Sequence, residues 1–388
     1  MLKQNFLLKS FQNCFFLKKD KKKVIKIFNK VVDENNEIIK SLSRYYKNIY
    51  KKKQLLRFKT KFKNYRIIGI GGSILGTKAI YSFLKHKIKK NFTFIDNLHY
   101  HHSNEKKDFL NLIVSKSGNT LETIVNANIL IKKKDKNIFL TENKKSYIQI
   151  LAKKLKSEIV YHNNFIGGRY SVLSEVGMLP AELMGLNVNR FKQFDNLIKN
   201  KYFFNSLVNN VASTFFLLKK KRFNSVLINY DEKSKNLFDW YQQLIAESLG
   251  KQNKGFLPIV STMPKDNHSV MQLYLEGPKK NFFTFFYVKD NNIQKINNRS
   301  ILSSHKFLKD KKISDIIYKQ KKATENVFHR KNIPFRSFEI SSRDEKSLGE
   351  LFCFFTLETI LLGRLLGVNP YDQPAVELIK KETKKLLI

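Results

Sequence analysis

The sequence is poor in cysteine and in long apolar runs. Its 388 residues include two cysteines, Cys14 and Cys353, which is too few for a disulfide framework and is typical of the reducing cytosol. Residues 1–23 are basic but lack both an uninterrupted apolar stretch and a small-residue cleavage site, so we predict no signal peptide. The longest apolar segment, 351–368, is interrupted by Glu358 and Arg364, which indicates a buried helix rather than a membrane span. We therefore expect a cytoplasmic protein without a membrane partner.

Acidic residues are also scarce, because 32 Asp and Glu stand against 73 Lys and Arg, and the formal net charge is +41. The lysines are spread along the whole chain, and no basic stripe with interleaved aromatic residues stands out. A charge excess without a recognition motif supports only non-specific attraction to nucleic acid. We predict no specific nucleic-acid partner, although a positive surface would steer an anionic substrate.

Apolar residues alternate between strand and helix patterns along most of the chain, and the length suffices for two domains with their own cores. We predict strands at 66–70, 92–95, 108–114, 138–140, 159–161, 225–229, 256–260 and 282–287. Helices are predicted at 75–87, 120–132, 236–249, 269–275 and 346–366, with a last one from residue 374. This spacing predicts an α/β fold of two doubly wound domains, with mainly parallel sheets flanked by helices, plus a C-terminal helix. The predicted divisions are a basic helical segment (1–55), a first domain (56–190), a second domain (191–345) and C-terminal helices (346–388) that complete the active site.

A hydroxyl-rich stretch, Ser-Lys-Ser-Gly-Asn-Thr at 115–120, follows the apolar strand pattern directly. Three hydroxyls, together with backbone N–H groups at the start of a helix, can surround a tetrahedral anion, and the helix dipole adds its positive end. Taken alone, such a turn is more often an ordinary helix cap. In the company of the motifs below, we predict a pocket for a small phosphorylated molecule.

Two further patterns invite a cofactor or a metal, and we reject both. The glycine-rich run at 69–76 follows a strand, and Asp96 lies twenty residues after Gly76, but the third glycine of a dinucleotide fingerprint would fall at Ile74. The glycines are better explained by close approach of a sugar to the backbone. The histidine cluster His99, His101 and His102 has no cysteine or carboxylate at ligand spacing. We predict neither a nucleotide cofactor nor a metal.

Two side-chain groups suggest proton-transfer chemistry. Arg169 follows two glycines, which lets its guanidinium lie close to a ligand that develops negative charge, although a surface arginine in a turn is the simpler alternative. Gln243 and Glu247 stand one helical turn apart, shortly before Gly250, and so share a helix face. A solvated glutamate is the alternative for Glu247.

Two cations near the C-terminal half are weaker candidates. His268, predicted to begin a helix, is placed to exchange protons near neutral pH, although a helix-capping segment explains it nearly as well. Lys380 stands three residues after Glu377 in a helix with Pro374 in its predicted first turn. A solvent-exposed lysine is its default interpretation.

Six motifs follow one another along the chain: Gly-Ile-Gly-Gly-Ser-x-Leu-Gly at 69–76, Ser-Lys-Ser-Gly-Asn-Thr-x-Glu-Thr at 115–123, Gly-Gly-Arg-Tyr-Ser at 167–171, Glu-Ser-x-Gly-Lys at 247–251, His-Ser at 268–269 and Tyr-Asp-Gln-x-Ala-Val-Glu-x-x-Lys at 371–380. In this order they resemble the glucose-6-phosphate isomerase family over about residues 60 to 388. The resemblance implies two sugar-isomerase (SIS) domains. The lysine-rich N-terminal helix matches nothing in it, and Ser117-Gly118 replaces a common Thr-bearing version of the phosphate loop.

The resemblance also implies roles for individual residues. Glu247 is the implied base that moves a proton between C2 and C1, Arg169 lies beside the enediolate, and His268 and Lys380 assist ring opening and closure. The implied substrate contacts are Gly72, Ser73, Ser115, Lys116, Ser117, Thr120, Gln243 and Gln373. The family's histidine comes from the partner subunit, so the resemblance implies a homodimer with His268 supplied across the interface.

These implications lead to one predicted function and two alternatives. We predict the interconversion of D-glucose 6-phosphate and D-fructose 6-phosphate in glycolysis and gluconeogenesis, by ring opening and cis-enediol proton transfer. Such chemistry needs one suitably basic carboxylate and no cofactor. One alternative is a dual-specificity phosphoglucose/phosphomannose isomerase. The other is a non-catalytic SIS regulator that binds sugar phosphates, which the joint presence of Glu247, His268 and Lys380 disfavours.

Overall fold

The computed structural model describes residues 6–98, 108–132, 134–289 and 294–388, and it contains two five-stranded sheets. The ten strands are β1 (Phe6–Gln12), β2 (Asn64–Ile68), β3 (Asn91–Ile95), β4 (Phe109–Val114), β5 (Lys136–Glu142), β6 (Glu158–His162), β7 (Asn224–Asn229), β8 (Leu257–Thr262), β9 (Asn281–Val288) and β10 (Phe335–Ile340).

The first sheet is parallel throughout, with strand order β3-β2-β4-β5-β6. All six residues of the central strand β4 are buried. Its apolar run lacks the alternation of a strand with one wet face because helices cover both faces of a parallel sheet. The carboxyl end of β4 therefore delivers residue 115 to the middle of one sheet edge, where ligands bind in open α/β sheets.

The second sheet has the order β1-β10-β9-β7-β8, and β1 is its antiparallel edge strand. The predicted strands at 225–229, 256–260 and 282–287 correspond to β7, β8 and β9. The prediction missed β10, and it described the N-terminal segment as helical without the strand β1, which pairs near the other end of the chain. Leu7, for example, lies opposite Glu339. Such long-range pairing leaves no local trace in the sequence.

Fourteen α-helices surround the sheets in the described part of the chain. They are α1 (Lys18–Asp33), α2 (Glu37–Leu42), α3 (Lys52–Lys61), α4 (Leu75–Leu84), α5 (Leu121–Leu130), α6 (Tyr147–Lys154), α7 (Glu175–Met184), α8 (Phe194–Leu197), α9 (Lys201–Lys219), α10 (Lys235–Leu249), α11 (Met271–Glu276), α12 (Ile313–Arg330), α13 (Glu345–Leu366) and α14 (Val376–Leu386). The predicted helices at 75–87, 120–132, 236–249, 269–275 and 346–366 are confirmed with shifted ends. The long helix α12 was not predicted.

Helix α13 forms the centre of the core. Its residues from Ser347 to Gly363 are all buried, which explains a nearly continuous apolar segment. Glu358, which interrupts that segment, forms an ion pair with Arg336 of β10, which is also buried. The distance between Arg336 Nη2 and Glu358 Oε2 is 3.1 Å. No helix in the described ranges is both long enough and apolar enough to cross a membrane.

Helix α10 joins the two halves of the molecule, because it packs against both α4 and α13. Its buried stripe includes Leu237, Trp240, Tyr241 and Leu244. Helix α4 follows the glycine-rich run after β2, so this packing brings α10 next to the carboxyl edge of the first sheet. Residues from opposite halves of the sequence meet there.

Candidate active site

The hydroxyl-rich loop starts where β4 ends. The Ser115 N–H donates to the carbonyl of Leu140 on β5 at 3.0 Å, and Ser115 Oγ lies 3.0 Å from Thr120 Oγ1. Gly118 closes the turn with a φ of +67°, and a Cβ there would lie 2.5 Å from Ser146 Cβ. Glycine alone satisfies both the backbone angle and the space.

The same loop is not built as an ordinary helix cap. Thr120 occupies the N-cap position of α5, yet its hydroxyl accepts no hydrogen bond from the helix backbone. The buried hydroxyl of Thr123, in the first turn, has no hydrogen-bond partner among the described residues. Ser117 is exposed, and Lys116 Nζ lies 3.3 Å from Glu142 Oε1. The loop therefore leaves hydroxyls and a helix N-terminus available to an anion, and its binding of a phosphate stays a prediction.

Arg169 is the most completely bonded side chain of the site. It belongs to a 3-10 helix, Gly168–Leu173, and is 1% exposed. Each of its five N–H donors has an acceptor: Ser248 Oγ for Nε (2.7 Å), the carbonyls of Pro370 (2.7 Å) and Asp372 (2.9 Å) for Nη2, and Glu247 Oε2 (3.2 Å) and Gln373 Oε1 (2.5 Å) for Nη1. A buried guanidinium is stable only with such complete pairing. The surface-arginine alternative is thus wrong.

The partners of Arg169 differ in burial. Ser248, which receives Nε, is buried, and so is Pro370, which receives Nη2. The partners of Nη1 are side chains at the open side, since Gln373 is exposed and Glu247 is 28% exposed. Nη1 is therefore the arm of the guanidinium that a ligand can reach by replacing a side chain.

Glu247 lies in the last turn of α10 and is oriented by two donors. Its Oε2 accepts a hydrogen bond from Arg169 Nη1, and its Oε1 accepts one from the side-chain amide of Gln243 at 2.9 Å. The spacing of four residues along the helix places Gln243 and Glu247 on one face, as predicted. The structure thus brings Arg169, Glu247, Gln243 and Gln373 together from three separate parts of the chain.

The glycine-rich run makes this convergence sterically possible. Gly71 has a φ of +54°, and a Cβ on it would lie 2.9 Å from Gln243 Nε2. A Cβ on Gly72 would lie 2.5 Å from the carbonyl oxygen of Gly168 and 2.6 Å from the amide nitrogen of Arg169. Polypeptide backbone therefore fills the space beside Gly72. Ser73 ends the short 3-10 turn Gly71–Ser73 and is half-buried; the contacts of Gly72 and Ser73 with a sugar stay predictions.

The structure does not bring His268 to these residues. It is exposed and ends a 3-10 helix, Lys265–His268, instead of beginning a helix as predicted, and α11 starts three residues later. Its ring has no hydrogen bond or ion pair to any described residue. Asp266, two residues before it, accepts a hydrogen bond from the Thr262 N–H at 2.8 Å. Within one chain, His268 remains at the surface.

Lys380 also lies apart from Arg169 and Glu247. Its Nζ is 2.6 Å from Glu377 Oε1, and its side chain is 61% exposed. Helix α14 begins at Val376, later than predicted. Before it, the side chain of Asp372 lies 2.7 Å from Lys251 Nζ, and the Asp372 carbonyl accepts a hydrogen bond from Arg169. No residue of α14 is buried.

Several residues that fix Arg169 were not predicted. Ser248 receives Nε of Arg169 and lies 2.8 Å from the hydroxyl of Tyr170, which donates to the carbonyl of Pro370. Burial raises the pKa of Tyr170 to about 12, so this hydroxyl stays neutral. Trp240 Nε1 donates to the carbonyl of Arg169 at 3.0 Å. The motif at 247–251 includes Ser248 and could have identified it. The backbone carbonyls that accept from Arg169 could not be found this way, because every residue has a carbonyl.

The histidine cluster and the glycine-rich run were the two patterns considered for a metal and a dinucleotide. Among the residues that the structure describes, no three His, Cys, Asp or Glu side chains form a group that could hold a metal ion. The cluster His99, His101 and His102 lies outside the described residues. Ile74 is fully buried, and the next glycine, Gly76, serves close packing instead, since a Cβ there would lie 2.6 Å from Val172 Cγ2.

Comparison with known proteins identifies the family. The model of the family described as phosphoglucose isomerase matches residues 15–387. A glucose-6-phosphate isomerase of Methanocaldococcus jannaschii is 32% identical over 376 residues, which covers 92% of this chain and 88% of the relative. The chain belongs to the phosphoglucose isomerase family. Because the match begins at residue 15, the N-terminal helices are part of it, contrary to the prediction that they match nothing.

Other relatives and solved structures agree with this membership. A glucose-6-phosphate isomerase of Campylobacter jejuni is 29% identical, covering 86% of this chain and 87% of the relative. A solved structure of a hypothetical protein from Thermus thermophilus superposes with a TM-score of 0.81 at 22% identity, covering 95% of this chain and 94% of the other. A glucose-6-phosphate isomerase structure from Chlamydia trachomatis gives 0.66 at 19% identity, with 87% and 72% covered. At such identities the two structures establish the shared α/β fold.

Proposed function

We propose that this chain interconverts D-glucose 6-phosphate and D-fructose 6-phosphate. One observation supports this above all: in a member of the phosphoglucose isomerase family, the Glu247 carboxylate lies 3.2 Å from the reachable arm of the buried Arg169. A base beside a fixed cation is what proton abstraction next to a carbonyl requires. The hydroxyl-rich loop after β4 would hold the phosphate group.

Glu247 is the proton carrier in this proposal. Its carboxylate takes the proton from C2 of the open-chain aldose and returns it to C1, while the hydroxyl proton moves between the neighbouring oxygens, so the reaction is a net isomerisation. The hydrogen bond from Gln243 to Oε1 leaves Oε2 as the oxygen that faces Arg169. A substrate oxygen that accepts the hydrogen bond from Arg169 Nη1 in place of Glu247 would leave Oε2 free to act as the base.

Arg169 stabilises the enediolate. Its charge is permanent, and Ser248 and two backbone carbonyls hold it before any substrate arrives. A preorganised cation costs no reorganisation when negative charge develops. A guanidinium also keeps its proton, so it stabilises the enediolate without quenching it.

Ring opening and closure involve His268 and Lys380, and we propose that a homodimer completes the site. The support is that both side chains are exposed in the single chain. Helix α14, which carries Lys380, also exposes Leu378, Ile379 and Leu386. Large apolar side chains in this number on one helix are typical of a surface that a second copy covers. The partner subunit's His268 would then reach the sugar ring oxygen.

The test is an assay of fructose 6-phosphate formation from glucose 6-phosphate, with neither metal nor nucleotide added. We expect turnover, together with transfer of solvent deuterium to the product. Binding of the sugar phosphate without turnover would instead indicate a non-catalytic regulator. Turnover of mannose 6-phosphate at a comparable rate would indicate the dual-specificity alternative.

We also place this activity in the cytoplasm, within glycolysis and gluconeogenesis. Both cysteines are free, with Cys14 partly buried and Cys353 buried, which suits a reducing compartment. Burial raises the pKa of both thiols, to about 11 for Cys14 and to about 12 for Cys353, and keeps them inert.

A further inference from the structure

A buried His–Glu pair lies behind the loop that carries Arg169. His162 ends β6, and its Nδ1 lies 3.2 Å from Oε2 of Glu175, the first residue of α7. Its Nε2 lies 3.1 Å from the carbonyl oxygen of Ile166. Both side chains of the pair are 0% exposed. The reaction described above uses neither of them.

The hydrogen bonds determine the protonation of the pair. A backbone carbonyl only accepts, so Nε2 of His162 must carry a proton and donate it to Ile166. Glu175 is an acceptor on its other oxygen, because Oε1 receives the hydroxyl of Tyr46 at 2.9 Å and the N–H of Ile49 at 3.2 Å. Its place at the start of α7 also favours the carboxylate. One proton between Nδ1 of His162 and Oε2 of Glu175 therefore joins the two side chains.

The pKa of Glu175 agrees with this assignment. Burial pushes the pKa up, but hydrogen bonds, first among them that from His162, outweigh burial and leave it below the ordinary 4.5. The other groups that face the pair are Tyr46, Tyr50, Glu37 and Lys192. Burial lowers the pKa of Lys192 to about 7, and the charge of Glu175 opposes this shift.

The N-terminal segment closes around this pair. Glu37 Oε2 accepts from Asn163 Nδ2 at 2.8 Å, next to His162. The ammonium of Lys192 donates to the carbonyl of Ser41 at 2.5 Å and lies 4.9 Å from the ring centroid of Tyr46. Residues 37–49 thus contact the segment 162–175 through several hydrogen bonds.

The loop between His162 and Arg169 is held from both sides. Ile166, whose carbonyl accepts the hydrogen bond from His162 Nε2, stands three residues before Arg169. On the other side, the backbone of Gly168 and Arg169 abuts Gly72 so closely that a Cβ has no room. A displacement of the Ile166 carbonyl would therefore be passed along two intervening residues to Arg169.

We propose that His162, held by Glu175, is a positioning residue that fixes the Ile166 carbonyl and thereby the Arg169 loop in its catalytic place. The inference rests on the proposed isomerase function, because it concerns the residue that stabilises the enediolate. It also gives the N-terminal segment a role: residues 37–49 support the pair through the contacts of Tyr46 and Ile49 with Glu175.

The test compares two ligands on His162→Gln. One is an aldonic acid phosphate one carbon shorter than the substrate, whose carboxylate mimics the enediolate; the other is the hexitol 6-phosphate, which carries no such charge. We expect affinity for the aldonate to fall about tenfold, since the hydrogen bond that holds the Ile166 carbonyl is lost, while affinity for the hexitol phosphate is unchanged. A fraction of unfolded protein raises the apparent dissociation constants of both ligands by the same factor, so a merely structural role would leave the ratio of the two constants unchanged.

Controls make the outcome decisive. Asp20→Asn removes another buried carboxylate of the N-terminal segment, paired with Lys219 at 3.0 Å and without contact to the described Arg169 loop, and it should leave the affinity ratio of the two ligands at the wild-type value. Glu175→Gln should reproduce the effect of His162→Gln, and the double variant should lose no more than either single one. Glu175→Gln also serves if His162→Gln does not fold.

Two different results would contradict the positioning role and the isomerase function, respectively. A wild-type ratio in both His162→Gln and Glu175→Gln overturns the positioning role while the isomerase function stands. Absence of turnover in the unaltered protein overturns the proposed function itself, and the positioning role with it.

Discussion

Substitution of Gly72 by alanine tests whether Arg169 acts from a fixed position. The new Cβ would lie 2.5 Å from the carbonyl oxygen of Gly168 and 2.6 Å from the amide nitrogen of Arg169, whereas ordinary contact begins at 3.4 Å. The obstructing atoms are backbone, which no side-chain rotation relieves, so the Arg169 loop must retreat by about 1 Å. A displacement of this size in a positioned catalytic group costs about 100-fold in turnover.

The assay is steady-state isomerisation with glucose 6-phosphate, and kcat and KM are measured separately. We expect kcat to fall and affinity for inorganic phosphate to persist, because the loop of Ser115 and Thr120 does not touch Gly72 among the described contacts. Gly167→Ala is the matched control, since a Cβ there meets only Tyr170 Cδ2 at 3.8 Å. Wild-type kcat in Gly72→Ala, or an equal loss in Gly167→Ala, would refute the reasoning.

Three further predictions concern single residues. Glu247→Gln should lower kcat by about 2–4 orders of magnitude, the scale of a general base, with substrate binding largely kept; near-normal turnover rules out the assigned base. Arg169→Ala should impair turnover more than phosphate affinity, and an unchanged rate with weaker binding would move Arg169 to the phosphate site. Glu175→Gln should lower the free energy of unfolding at neutral pH by about 1–3 kcal/mol. Because folding lowers the pKa of Glu175, its contribution exists above pH 4.5 and disappears as pH falls through the lowered pKa. A difference in unfolding free energy between variant and wild type that stays the same at every pH, measured by urea unfolding, would contradict this.

The strands of the first sheet were predictable because each is a short apolar run with a turn or helix pattern after it. In the second sheet, β7, β8 and β9 were predictable, whereas β1 and β10, which lie next to each other at one side, were not. The pairing of β1 with β10 joins opposite ends of the chain, and the seven residues of β1 resemble any short run of mixed lysine, leucine and phenylalanine. The segment becomes a strand because it pairs with the edge of β10.

The candidate site was predictable where the type of a single side chain within a motif indicates its role. Motif order placed Arg169 and Glu247 in one centre, and the structure puts their charged atoms 3.2 Å apart. The backbone carbonyls of Pro370 and Asp372, which hold Arg169, have no counterpart in any residue type. The pairing of His162 with Glu175 was equally hidden, since thirteen positions separate a strand end from a helix start.

By itself, the sequence determined most of the elements and the types of chemical group: short apolar runs and helical patterns predicted most strands and helices, and the residue types supplied a hydroxyl-rich loop, a carboxylate and a guanidinium. The tertiary structure alone decided which atoms face one another. Glycines 71 and 72 lack the side chains that would separate α10 from the Arg169 loop, and packing of α10 against α4 then fixes the distance between base and cation. Such a distance depends on contacts between residues far apart in the chain, which local patterns do not encode.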